Sequence, residues 1–258
     1  MSQPDSEIIL EARELTREFD GKRVVDRFSF QLRRGEVLGM LGANGAGKTT
    51  TMNMLLGLTT PTSGEICAFG LDFHKHRVET LRRTNFSSAY TSLPSNLLVW
   101  QNLLVFAMIY GVAQPKKKIA ELLELFEISH LRKSVTGNLS AGESTRLNLC
   151  KSLLNDPDLL LLDEPTASLD PDIADKVRKT IQHVQAQRRI AILYTSHNMR
   201  DIEEVCDRVI FLHKGKVVCE GTPHEIKGRT QSGSLEDVFI QIARDGNIEE
   251  ASKTPSAV

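Results

Sequence analysis

The sequence predicts an α/β fold in which a parallel sheet buried on both faces is joined to an N-terminal antiparallel β layer and a helical subdomain insertion. Three observations carry this. Residues 159–163 and 190–195 are continuous apolar runs separated by a helix-like stretch at 171–187, the alternation of βαβ units. Residues 36–41 read as a strand running straight into a glycine-rich loop, beyond which the spacing turns helical. The residues before them alternate apolar and polar positions between turn residues, as antiparallel strands do.

In chain order, residues 8–15 form the first predicted strand, and Asp20-Gly21-Lys22 breaks the chain after it. Val25, Phe28, Phe30 and Leu32 give the next strand its alternating apolar pattern, and it stops at Arg33-Arg34-Gly35. After the glycine loop, residues 48–58 place Met52, Leu55 and Leu56 on one helix face. Residues 78–154 read as mostly helical, with stops at Pro94, at 111–115 and at Gly137-Asn138; the helical subdomain is placed at about 86–155. Its most apolar part, 97–110, is too short to span a bilayer and reads as core or as a docking face. Further on, 207–212 and 216–220 flank His213-Lys214-Gly215 as a hairpin, and 234–243 closes with a short amphipathic helix. The domain is thus expected over 7–243, with 244–258 as a polar, disordered tail.

Composition narrows the function classes. The 258 residues carry a formal net charge of −1 with acids and bases mixed, so no basic field draws the chain to nucleic acid or anionic lipid. The four cysteines are far apart and form no C-x-x-C pair, which suits reduced thiols and disfavours zinc. No secretory h-region and no apolar run near the roughly 20 residues of a spanning helix is visible, so a soluble globular protein is expected.

The chemistry gathers in five blocks. Gly42-Ala43-Asn44-Gly45-Ala46-Gly47-Lys48-Thr49, followed by Thr50, is G-x-x-x-x-G-K-[ST] between strand and helix. Its backbone N–H groups can wrap phosphates, Lys48 can reach the outer ones and Thr49 their magnesium, which makes the core that of a P-loop NTPase. A chance match in such a chain is on the order of one in a hundred. Asp163 and Glu164 end the next buried strand: one carboxylate can hold magnesium and the other take a proton from water, provided Pro165 helps turn the chain. His197 follows the strand at 190–195, at the carboxyl end of a parallel sheet where ligands collect. Phe19 precedes the loop and can stack on a base, although an ordinary core role is the commoner one for phenylalanine. Leu139-Ser140-Ala141-Gly142-Glu143 opens a helical run with Ser140 as a cap, and such a start is also an anion site.

With Ser168-Leu169-Asp170, these blocks resemble, in type and order, those of the nucleotide-binding subunits of ATP-binding cassette (ABC) transporters, over residues 8–243. The resemblance implies ATP and Mg²⁺ as cofactors and a head-to-tail dimer. In it each ATP lies between the glycine loop of one chain and the Leu139–Glu143 signature segment of another, itself or a homologous subunit. It further implies that Glu164 polarises water, His197 contacts the γ-phosphate, Lys48 neutralises phosphate charge, Thr49 and Asp163 hold Mg²⁺, Asp170 communicates across the interface and Phe19 stacks on adenine. The glycine loop, Leu98-Val99-Trp100-Gln101-Asn102-Leu103 and the short C-terminal extension look closest to ABC-2 type exporters. In those the permease is commonly a separate chain, which implies a peripheral ATPase at the cytoplasmic face of the membrane. Two departures stand out. Ala141 and Glu143 occupy positions where the family usually has Gly and Gln, and no glutamine lies between Asn85 and Asn96, near Ala89, where the family senses magnesium and its membrane partner. Ser87, Ser88 or Tyr90 can supply an oxygen there instead. A switch ATPase on ribosomes or nucleic acid, or a weakly hydrolysing nucleotide sensor, is the competing expectation.

Overall fold

The computed structural model describes residues 7–167, 169–229 and 234–245. The chain opens with β1 (Ile8–Phe19) and β2 (Lys22–Arg33), joined by Asp20 and Gly21, both at positive φ as a two-residue hairpin turn requires. β3 (Val37–Gly42), α1 (Lys48–Leu55), β4 (Ser63–Ala68) and β5 (Leu71–Asp72) follow. β2, β1, β4 and β5, in that order, make an antiparallel sheet. Next come α2 (Arg77–Arg82), β6 (Thr84–Ser88), α3 (Val99–Ile109), α4 (Pro115–Leu125) and α5 (Ala141–Ser152). Last are β7 (Leu159–Asp163), α6 (Pro171–Arg188), β8 (Ala191–Thr195), α7 (Met199–Val205), β9 (Arg208–His213), β10 (Lys216–Gly221), α8 (Pro223–Arg229) and α9 (Leu235–Asp245).

The second sheet has the order β10-β9-β3-β8-β7-β6 and is parallel except for the β9–β10 hairpin. Its strands are apolar throughout because each face meets a different core. Leu38, Met40, Leu159, Leu161 and Leu193 pack toward the antiparallel sheet and α1. Val37, Leu41, Leu160, Leu162 and Ile192 pack with residues of α3 to α6. Consecutive side chains thus alternate between two dry interfaces, and each fully buried aliphatic side chain contributes ~1.5–3 kcal/mol.

Three sequence expectations need correction. Residues 84–88 belong to a strand of the parallel sheet, paired with β7, and not to a mainly helical stretch beginning at 78. β6 escapes pattern reading because Thr84-Asn85-Phe86-Ser87-Ser88 is polar, its buried groups satisfied locally: Thr84 Oγ1 donates to the Thr80 carbonyl at 2.9 Å and Asn85 Nδ2 to Asn155 Oδ1 at 2.8 Å. The first strand extends to Phe19, past a bulge where Glu14 has φ +49°. α9 includes Arg244 and Asp245, which sequence reading assigned to the tail; the rest of that tail, 246–258, lies outside the described residues. Among the described residues no helix is long and apolar enough to cross a membrane.

Candidate nucleotide site

β3 delivers the glycine loop at the carboxyl end of the parallel sheet, and α1 leaves from it. The loop is wedged between β2 and the β9–β10 turn: Gly215 N–H donates to the Ala46 carbonyl at 3.0 Å, and a Cβ on Gly215 would stand 2.5 Å from the Val24 carbonyl oxygen. Gly47 caps α1 at φ +108°, where a Cβ would approach that same oxygen to 2.8 Å. Only glycine suits both positions, since space and backbone conformation each exclude a side chain. The N–H groups of the first turn of α1 are left for an anion.

A pocket of about 410 Å³ lies over this loop, lined by Asn44, Gly45, Gly47, Lys48, Thr49 and Thr50 on one side and Asp163 and Glu164 on another. Val24, Met52, Asn53, Phe86, Ser88, Tyr90 and Thr91 complete it. Lys48 Nζ donates to the carbonyls of Gly42 at 2.6 Å and Ala43 at 3.4 Å, so the loop cradles its own cation. Burial pulls the Lys48 ammonium below its ordinary pKa, and Glu164 and Asp163 pull it back upward.

The two carboxylates divide the space as the turn at Pro165 requires. Asp163 is the last residue of β7, in register with Ser88 on one side and Thr195 on the other. Thr195 Oγ1 donates to Asp163 Oδ1 at 2.6 Å, leaving Oδ2 available. Glu164 leaves the strand in the left-handed region at φ +54°, an uncommon conformation for a residue with a side chain. Its N–H donates to the Thr195 carbonyl at 3.0 Å, which holds the turn. Its Oε2 lies 2.7 Å from His197 Nδ1 and accepts from the His197 backbone N–H at 3.3 Å. Glu164 and His197, expected after separate strands, therefore meet at the carboxyl end of the parallel sheet, just beyond β7 and β8. Hydroxyl and carboxylate oxygens of Thr49 and Asp163 on one pocket are hard donors that suit Mg²⁺ with few protein ligands, the rest coming from water and phosphate. No cluster of three or more His, Cys, Asp or Glu suited to a metal occurs among the described residues.

Other expected residues lie elsewhere. Phe19 sits at the end of β1, 42% exposed and off this pocket, with the Arg17 guanidinium 4.3 Å from its ring centroid. None of Leu139, Ser140, Ala141, Gly142 and Glu143 lines the pocket; Leu139 and Ala141 border a second one of about 360 Å³ with Tyr90 and Thr91. Ser140 caps α5 in a reciprocal box with Glu143, whose carboxylate is held below its ordinary pKa by the Ser140 N–H and hydroxyl. Asp170 occupies the N-cap position of α6, exposed and with no side-chain capping hydrogen bond, and Ser168 lies outside the described residues. Thr195 escaped sequence reading, whereas Ser88 and Tyr90, two of the three residues expected to supply an oxygen in place of the glutamine, line the pocket and Ser87 does not. Thr195, like Ser88, is a small hydroxyl residue at the carboxyl end of a strand flanking Asp163, which is the signal that could have found it.

A family model described as ABC transporter matches residues 25–167. The chain is 38% identical over 223 residues to the bacitracin transport ATP-binding protein BcrA of Bacillus licheniformis, covering 86% of this chain and 72% of that protein. The chain belongs to the ABC transporter family as an ATP-hydrolysing cassette. This cassette is also 35% identical over 219 residues to the Nod factor export ATP-binding protein I of Burkholderia orbicola (strain AU 1054), covering 84% of this chain and 72% of that one. The solved structure of an ATP-binding subunit of an ABC transporter superposes with a TM-score of 0.83 at 25% identity, over 92% of this chain and 100% of that one. The cassette shares its fold with a dimeric post-hydrolysis ATP-binding cassette, MJ0796 with ADP and Pi, at a TM-score of 0.74 and 19% identity over 83% of this chain and 98% of that one.

Proposed function

We propose that this cassette is the ATPase of an ABC-2 type exporter, driving a separate membrane permease from the cytoplasmic face through ATP-dependent closure of a head-to-tail dimer. The observation that carries the proposal is a division of parts. Phosphate loop, metal-type ligands and base share one pocket, whereas the signature segment of the same chain stays outside it. A second copy presenting its own Ser140 helix start would complete the site. The relatives named for bacitracin transport and Nod factor export support the exporter reading, and the dimeric cassette of the same fold supports the pairing.

In this reading the phosphates replace the Gly42 and Ala43 carbonyls on Lys48 and take up the free N–H groups of α1. Thr49 and Asp163 would hold Mg²⁺, which when bound supplies charge neutralisation at the phosphates. Glu164, oriented by His197, accepts the proton of the attacking water, and His197 turns its other nitrogen to the γ-phosphate. Ser88, buried beside Asp163 where the family's glutamine loop begins, offers the oxygen that the missing glutamine does not. Phe19 takes the adenine on its open face. α3 leaves Val105, Met108 and Ile109 in solvent on one face, which suits a docking permease.

The test is coexpression with a candidate ABC-2 type permease. The cassette should sediment with membranes only when the permease is present; sedimentation without it, or copurification with RNA in place of membranes, would overturn the exporter reading.

A further inference from the structure

Behind the Glu164–His197 pair lies a buried polar cluster that the nucleotide chemistry does not use. Asp201, in the first turn of α7, is 0% exposed, and a carboxylate so placed is unfavourable unless fully paired. It is fully paired. Arg178 Nη1 donates to Oδ1 at 2.8 Å, while Ser196 Oγ at 3.2 Å and Thr166 Oγ1 both donate to Oδ2. Arg178 is itself 2% exposed and makes further ion contacts with Glu204 at 2.6 Å and Asp175 at 3.6 Å.

The partners come from the three segments that shape the hydrolytic side of the site. Thr166 stands two residues beyond Glu164 on the same turn, Ser196 immediately precedes His197, and Arg178 belongs to α6, whose N-cap is Asp170. We infer that Asp201 is a positioning residue for ATP hydrolysis: its carboxylate ties the Glu164 turn, the His197 turn and α6 into one body and so keeps Glu164 against His197. One carboxylate accepting from two hydroxyls and a guanidinium fixes three backbones at once, which no pairwise contact between those segments does. Neither Asp201 nor Arg178 lines the nucleotide pocket, and none of the hydrogen bonds and ion contacts named here reaches the phosphate loop. Hydrolysis and nucleotide binding should therefore separate. Small displacements of a catalytic group cost up to about a hundredfold in rate without touching substrate affinity.

The inference rests on the proposed roles of Glu164 and His197. Its test is kcat, KM for ATP and ATP affinity of the full chain for wild type, Asp201→Asn and Thr166→Val, each also combined with His197→Ala, with the folded fraction measured by thermal melting. Asp201→Asn is expected to lower kcat at least about tenfold, with KM and affinity within about twofold of wild type. Thr166→Val keeps the ion pair and should lower kcat about three- to tenfold with KM unchanged. On the His197→Ala background either change should add less than about a factor of two, because both act through the same pair. Wild-type kcat in folded Asp201→Asn and Thr166→Val, or losses that multiply with that of His197→Ala, would overturn it. If Asp201→Asn fails to fold, Thr166→Val decides alone. Turnover by Glu164→Gln would sink the base assignment; an inactive Glu164→Gln beside fully active Asp201→Asn and Thr166→Val would sink this inference alone.

Discussion

Lys151→Met should abolish a contribution that Lys151 is expected to add to the stability of the wild-type chain above pH 8. Lys151 is buried on α5, where its Nζ donates to the Phe86 carbonyl at 2.8 Å and stands 5.8 Å from the Phe106 ring centroid. Burial lowers the ammonium pKa from its ordinary 10.5 to about 8, with no compensating carboxylate. In the unfolded chain the proton stays on to 10.5; in the folded chain it leaves near 8. Between those values the unfolded state binds more protons, so stability rises with pH there and is flat below. At 1.36 kcal/mol per pH unit, the interval is worth about 3 kcal/mol. Methionine removes the titration but leaves the Phe86 carbonyl unpaired at ~1–3 kcal/mol, so the offset between the proteins at neutral pH is not diagnostic. The difference in its pH dependence is. Urea melts of both proteins from pH 7 to 10.5 should give a wild-type minus variant stability that climbs by about 3 kcal/mol, other titrations cancelling. A difference that stays constant across this range would refute the desolvation reasoning.

Lys48→Ala should weaken ATP binding at least about tenfold by calorimetry, since the charge opposite the phosphates is lost; unchanged affinity would remove Lys48 from the site. Phe19→Ala should weaken ATP about three- to tenfold but leave inorganic tripolyphosphate unaffected, because only a base has a face to stack. Leu161→Ala, at a 0% exposed position in β7 between the two sheets, should destabilise the fold by about 2–5 kcal/mol in denaturant melts.

What could be read before the structure was what leaves a local pattern. β3, β7 and β8 are apolar on both faces and announce themselves as buried parallel strands, and the glycine loop carries its own spacing. The same logic missed β6, whose buried side chains are mostly hydroxyls and an amide. Glu164 and His197 were legible singly, but their contact joins residues 33 positions apart and depends on a left-handed turn that no pattern announces. The Asp201 cluster was invisible for a similar reason: a threonine, a serine and an arginine scattered over α6 and two loops become partners only when the sheet is assembled. The signature segment was recognisable only through family resemblance, since Ser140 with Glu143 is also an ordinary helix cap.

The most direct test is ATP turnover with Mg²⁺ of wild type and Glu164→Gln, alongside sizing of both with ATP. The amide keeps the shape of Glu164 but cannot take a proton from water. Measurable wild-type turnover, with a variant that is inactive yet dimeric in ATP, is the predicted result. A Glu164→Gln protein that hydrolyses ATP at the wild-type rate, or that stays monomeric with saturating ATP, would contradict the assignment of the base and the two-copy site.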